Sequence, residues 1–192
     1  MRRSLLLMLV LCLALSVTAA AEEGDGMKGW ALVSGYGGYT FGFGDLFFDE
    51  TIAGVNVSFE AGLSFGGAFH YGLTDKFFLG GELGFQSYKT QASLGGLSAS
   101  TTDTKLNILA SGLYALNYVE NQQALFLAFG AGQYSGLDEF GFNAGVLYTR
   151  MAGDKFAWFV MPRFHYVLTD PSGTMVQVVL GVTLPVAGRT GP

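Results

Sequence analysis

The sequence predicts an all-β chain: an eight-stranded, antiparallel, up-and-down transmembrane β-barrel. Three observations predict it. From Val57 to Tyr88 apolar and small or polar residues alternate: Phe59, Ala61, Leu63, Phe65, Gly67, Phe69 and Tyr71 share one face, and Ser58, Glu60, Gly62, Ser64, Gly66, Ala68 and His70 share the other. That period is two rather than 3.6, the signature of a strand. Charged residues are 13% of the chain, against about 25% in a typical soluble domain, while 50% is hydrophobic and glycine reaches 29. Finally, the chain opens with the features of an exported protein.

Met1-Arg2-Arg3-Ser4 supplies a positive start, Leu5 to Val17 a short apolar run and Ala19-Ala20-Ala21 a small-residue cleavage site, so residues 1–21 read as a signal peptide. Residues 22–192 then form one barrel domain, and no later apolar stretch approaches the ~20 residues of a membrane-spanning helix. Cys12, the one cysteine, falls in the signal segment, which leaves the mature chain without a disulfide, thiolate metal site or catalytic cysteine. Removal of Arg2 and Arg3 takes the net charge from −5 to near −7. That sign argues against nucleic acid as a partner.

The first strand runs from about Trp30 to Tyr39, with Gly35, Gly37 and Gly38 leaving its inward face ambiguous. Thr40 to Asn56 reads as a long connection, and strands two and three are the hairpin around Gly72-Leu73-Thr74-Asp75. In the third strand Phe77, Leu79, Gly81, Leu83 and Phe85 oppose Phe78, Gly80, Glu82, Gly84 and Gln86. Thr90 to Asp103, rich in Ser, Thr, Ala and Gly, reads as a solvated loop.

Strand four sets Leu106, Ile108, Ala110, Tyr114 and Leu116 against Asn107, Ser111, Ala115 and Asn117; after Glu120–Gln123, strand five sets Leu125, Leu127, Phe129 and Ala131 against Ala128, Gly130 and Gly132. Strand six opposes Phe140, Phe142, Ala144, Val146 and Tyr148 to Gly141, Asn143, Gly145 and Thr149. Strand seven opposes Trp158, Val160, Phe164 and Tyr166 to Phe159, Met161, Arg163 and His165, and Pro162 within it predicts a bulge. Strand eight opposes Val176, Val178, Leu180, Val182 and Leu184 to Gln177, Val179, Gly181 and Thr183. Short connections after strands two, four and six, and long ones after one and three, suit short periplasmic turns and longer outer loops.

The apolar rows carry no charge, which hydrocarbon contact requires, since a cation at the bilayer midplane of such a barrel costs roughly 2–4 kcal/mol. Aromatics fall near the strand ends, Tyr71, Phe77, Tyr118, Tyr148 and Trp158 by the short turns and Phe59, Phe85, Phe140 and Tyr166 by the outer loops, as interfacial girdles would. The alternative is a soluble secreted barrel with the apolar face inward.

With Glu60-Ala61-Gly62-Leu63-Ser64-Phe65 and Leu79-Gly80-Gly81-Glu82-Leu83-Gly84-Phe85 inside this pattern, the chain resembles the small outer-membrane β-barrels of the opacity-type porin and OmpA-like group. The resemblance is one of pattern across the mature chain, with no single diagnostic motif. It implies an integral bacterial outer-membrane protein, in contact with outer-membrane lipid and lipopolysaccharide and inserted by the barrel-assembly machinery. That machinery reads a C-terminal strand usually ending in an aromatic; here Gly181, Leu184 and Val186 approximate the spacing, and the residues that follow, to Pro192, include no aromatic.

Eight strands enclose a lumen about wide enough for their own side chains. Glu60, Glu82, Arg163, His165, Asn143 and Gln177, with His70 and Asn107, are placed inside as a polar network, and an ion pair between Glu82 and Arg163 across the lumen is expected. The expected role is structural or surface-interacting, with a largely plugged lumen; the alternative is a narrow porin-like channel for small solutes. Asp45, Phe47, Phe48, Asp49 and Glu50 form a candidate surface-binding loop for an unknown ligand, without the spacing of a calcium loop. A lipid-modifying enzyme would place a His-x-Ser pair on one strand, but His165 is followed at that spacing by Val167 and His70 by Gly72, so no enzyme is expected. No phosphate loop, metal motif or cofactor signature is present in the sequence.

Overall fold

Alternation at period two over segments this long leaves each backbone pairing with neighbours on both sides, and the chain resolves that by closing on itself. A computed structural model describes residues 27–43, 50–52, 55–94, 97–119, 123–134, 139–153, 155–168 and 173–187. Its strands are β1 (Ala31–Phe43), β2 (Glu50–Ile52), β3 (Val55–Glu60), β4 (Gly62–Gly72), β5 (Phe77–Leu94), β6 (Leu97–Val119), β7 (Gln123–Tyr134), β8 (Glu139–Ala152), β9 (Phe156–Leu168) and β10 (Gly173–Ala187). Eight of them form a closed antiparallel ring in the order β1-β4-β5-β6-β7-β8-β9-β10, with β10 pairing back to β1. Closure leaves none of the eight a free edge along the wall. Residues 1–21, read above as a signal peptide, and Asp45 to Asp49 lie outside the described residues; Glu50 begins β2.

The rows point as their chemistry demands. Leu63, Phe65, Leu83, Ile108, Leu127, Val146, Phe164 and Leu180 are exposed on the outside, Leu180 at 63%, while Ser64, Gln86, Asn107, Asn143, Arg163 and Gln177 are buried inside. In β1 the inward row is Leu32, Ser34, Tyr36 and Thr40, and Val33, Tyr39 and Phe41 face out. Phe77 departs from its row's exposure: it stacks on Phe129, with centroids 6.1 Å apart, and is buried.

Three expectations are corrected. Thr90 to Asp103 is not a loop: β5 and β6 pair without interruption from Phe77↔Tyr114 to Leu94↔Leu97, because the threonines there favour extended backbone and meet a matching run across the hairpin. Nor is Thr40 to Asn56 wholly a connection. β1 continues to Phe43, and β2 and β3 add a small extension in which β3 pairs with the upper part of β5. Pro162 makes no bulge. The register is the same before and after it, Gly145↔Arg163 and Tyr148↔Val160, and the ladder to β8 simply lapses between these pairs. Pro162 lies on the outer face, where the missing donor costs one ladder bond without demanding an extra residue. Register shifts do occur elsewhere, in β6 between Ala115 and Asn117 and at the start of β1 between Ala31 and Leu32.

Glycines on the inner row bring strands close. A Cβ at Gly80 would stand 1.7 Å from the carbonyl oxygen of Phe69, whereas one at Gly35 would meet nothing within 4 Å. Gly80→Ala is therefore expected to lower stability by about 1–3 kcal/mol, and Gly35→Ala to leave it within ~0.5 kcal/mol. The urea midpoint of the heat-modifiable gel shift measures both.

Candidate functional site

The lumen is filled in layers, and the middle one is ionic. Glu82 projects from β5 and Arg163 from β9, four places apart either way around the ring, so the pair spans the full bore. The contact is bidentate: Arg163 Nη1 donates to Glu82 Oε2 at 2.7 Å and Nη2 to Oε1 at 2.5 Å. Both side chains are about 95% buried, at 4% and 5% exposure. Burial of this kind holds only when the remaining donors and acceptors are satisfied, and here they are. Arg163 Nε donates to Gln177 Oε1, Arg163 Nη2 donates to the Tyr36 hydroxyl at 3.2 Å, and that hydroxyl donates to Glu82 Oε1. The guanidinium also lies 5.3 Å from the Tyr36 ring centroid.

His165, fully buried, extends the network. Gln177 Oε1 can only accept, so His165 Nε2, 3.3 Å away, carries the proton, and Nδ1 accepts from the Tyr134 hydroxyl at 2.8 Å. Asn143 Nδ2 donates to the same hydroxyl at 3.4 Å. The structure thus brings together Glu82, Arg163, His165, Asn143 and Gln177. Glu60 ends β3, where its backbone pairs with Lys89 of β5.

One participant and one contact are absent from the sequence reading. Tyr36 was hidden by the glycines around it. Its signal is the register pair Gly66↔Gly84, since a Cβ on Gly66 would lie 2.4 Å from the Tyr36 hydroxyl and one on Gly84 2.9 Å from it. Those two glycines make the slot through which the phenol reaches Glu82. The other is the His70–Ser111 contact, Nε2 to Oγ at 2.9 Å, between residues on β4 and β6 that only the curvature of the ring makes neighbours.

Above the ionic layer Leu109, Tyr134, Val167 and Met175 form a small apolar cluster. Below it Phe78, Leu113, Phe126, Leu147, Phe159 and Met161 form a larger one. This lower cluster surrounds a cavity of about 250 Å³, roofed by Tyr36, Glu82, Asn143 and Arg163 and bordered toward the short turns by Met27 and Trp30. Among the described residues no three His, Cys, Asp or Glu side chains converge as metal ligands.

Among solved structures, the chain is similar to the outer membrane protein OprG from Pseudomonas aeruginosa, with 10% identity and a TM-score of 0.49 over 84% of this chain and 98% of that one. It is also similar to the translocator domain of the autotransporter NalP from Neisseria meningitidis, with 11% identity and a TM-score of 0.38 over 83% of this chain and 89% of that one. No protein-family model matches the sequence, and no curated protein matches it.

Arg163→Met leaves a buried, unpaired carboxylate and is expected to cost about 3–5 kcal/mol, whereas Glu82→Gln combined with Arg163→Met removes both charges and recovers most of the loss. Urea unfolding of the refolded protein, read on the four variants of the cycle, measures the coupling.

Proposed function

We propose that this chain is an integral bacterial outer-membrane barrel with a closed lumen, serving a structural or surface-interaction role rather than bulk transport. The observation that carries the reading is the inversion of polarity across the wall: every barrel strand presents large apolar side chains outward, while the buried charges lie inside and are paired. An apolar surface running around the whole ring far exceeds what a water-exposed monomer carries. It suits hydrocarbon, where a closed barrel satisfies every backbone group.

Aromatics support the same placement. Tyr71, Tyr148 and Trp158 lie near the short turns, with Tyr148 and Trp158 packed edge to face at 5.6 Å, and Phe85, Phe140 and Tyr166 lie toward the opposite end. Lipid and lipopolysaccharide would surround the wall, the barrel-assembly machinery would insert it, and the segment 1–21 would direct export. The bidentate pair across the bore, with apolar clusters above and below, supports a plug over a channel for small solutes. Catalysis is not part of the proposal: His70 Nδ1 has no partner among the described residues, so the His70–Ser111 pair lacks the acceptor that orients a catalytic base.

In planar bilayers the refolded protein and its Glu82→Gln variant are both expected to show negligible conductance; steady unitary steps from the wild type would replace the plug with a channel. On fractionation the protein is expected to follow the outer membrane and to need detergent. Free solubility among periplasmic contents would overturn the membrane placement. Deletion of Asp45 to Gly54 is expected to abolish binding to surface ligands while leaving the heat-modifiable barrel intact.

A further inference from the structure

We infer that the lower half of the lumen is a binding site for a small, uncharged molecule with an apolar body and a single hydrogen-bonding group. Interiors pack with few voids larger than a water molecule, yet here about 250 Å³ is left open inside a wall of Phe126, Leu147, Phe159 and Met161. The space exists because Ala68, Ala124, Ala128 and Ala157 occupy inner positions where a larger side chain would fill it. An apolar cavity of ~150 Å³ stays dry and accepts benzene. By that scale this one holds a body of roughly ten carbon atoms.

One polar feature of the wall specifies the rest of the ligand. His70 is buried, lines the cavity, and uses Nε2 on Ser111, while its Nδ1 has no partner among the described residues. A buried nitrogen left unpaired is costly, and a hydroxyl on the ligand would satisfy it in either tautomer, a carbonyl only where Nδ1 carries the proton. A charged group is disfavoured. The charges in the roof are already bonded to each other, and an ion placed against the apolar wall would lose its hydration without a counterion.

Access is from the short-turn end. There the turn at Met27–Trp30 covers the cavity, held by Gly29 N–H donating to the Gly72 carbonyl and Gly72 N–H donating to the Trp30 carbonyl, each at 2.8 Å. The inference goes beyond the closed-barrel reading and is tested separately from it, since conductance and occupancy of the lower cavity are independent measurements.

The test uses the refolded protein in lipid nanodiscs, 13C-labelled at its methionine methyls, titrated with 1-naphthol and, in parallel, with naphthalene. Met27, Met151 and Met161 line the cavity, whereas Met175 belongs to the cluster above the ionic layer and serves as the internal control. Saturable shifts at Met161 and Met27 with 1:1 stoichiometry, and none at Met175, are expected. Ala128→Leu fills the cavity and is expected to weaken 1-naphthol at least tenfold. His70→Phe is expected to bring 1-naphthol down to the affinity of naphthalene, a loss of about five- to tenfold. Heat-modifiable migration verifies the fold of each variant, and Ala157→Leu on β9 replaces Ala128→Leu should that variant fail to fold. Absence of a saturable shift at Met161, an equal shift at Met175 from partition into lipid, or undiminished affinity in the filled variant would each overturn the site.

Discussion

Two opposite charges held across the diameter of the ring are the constraint on which the interior depends. Arg163 and Glu82 could not be buried singly. Each requires the other, and the pair requires Tyr36 and Gln177 to occupy the donors and acceptors that a two-pronged contact leaves over. Because β5 and β9 face one another across the lumen, this contact ties together walls that share no backbone ladder. It divides the lumen into a lower apolar compartment and an upper one, and everything beneath it, including the open space lined by alanines, takes its shape from that roof.

Side-chain size, as much as polarity, makes the arrangement fit. Aromatic rings inside the barrel rest over glycines of neighbouring strands: Tyr36 over Gly66 and Gly84, Phe159 over Gly181, Tyr134 over Gly141. A ring laid on a bare backbone covers the carbonyls and amides that a larger residue would otherwise shield, and lets an eight-stranded bore accept several aromatic residues without swelling. At these positions the glycine is tied to an aromatic partner, residue by residue.

The faces of seven barrel strands are legible in the sequence, because their apolar rows carry no charge and each uninterrupted alternation has two possible settings, of which one is apolar. Glu82, Arg163 and Gln177 can be assigned to the inside on that ground alone. β1 cannot be read so, since Gly35, Gly37 and Gly38 remove the side chains that would declare its faces, and Tyr36 is lost with them. The hydroxyl-rich run from Thr90 to Asp103 has the composition of a loop, and its strand character comes from the partner across the hairpin rather than from its own hydropathy. His70 and Ser111 meet through ring curvature, a property of the closed sheet that no local window contains. Pro162 obeys the steric rule that suggests a bulge but satisfies it more cheaply, by omitting ladder bonds at the outer surface.

The seam between β1 and β10 differs from every other junction of the ring in joining the first and last of the described strands, with Ala31 opposite Ala187 and Ser34 bonded to Thr183 at 2.8 Å. In the order of its ladders the barrel has no intrinsic beginning. A short linker across Ala31 and Ala187 would turn the seam into one more hairpin, after which new termini could be opened at a different turn, so that the wall is a circular word that the gene happens to start reading at one letter.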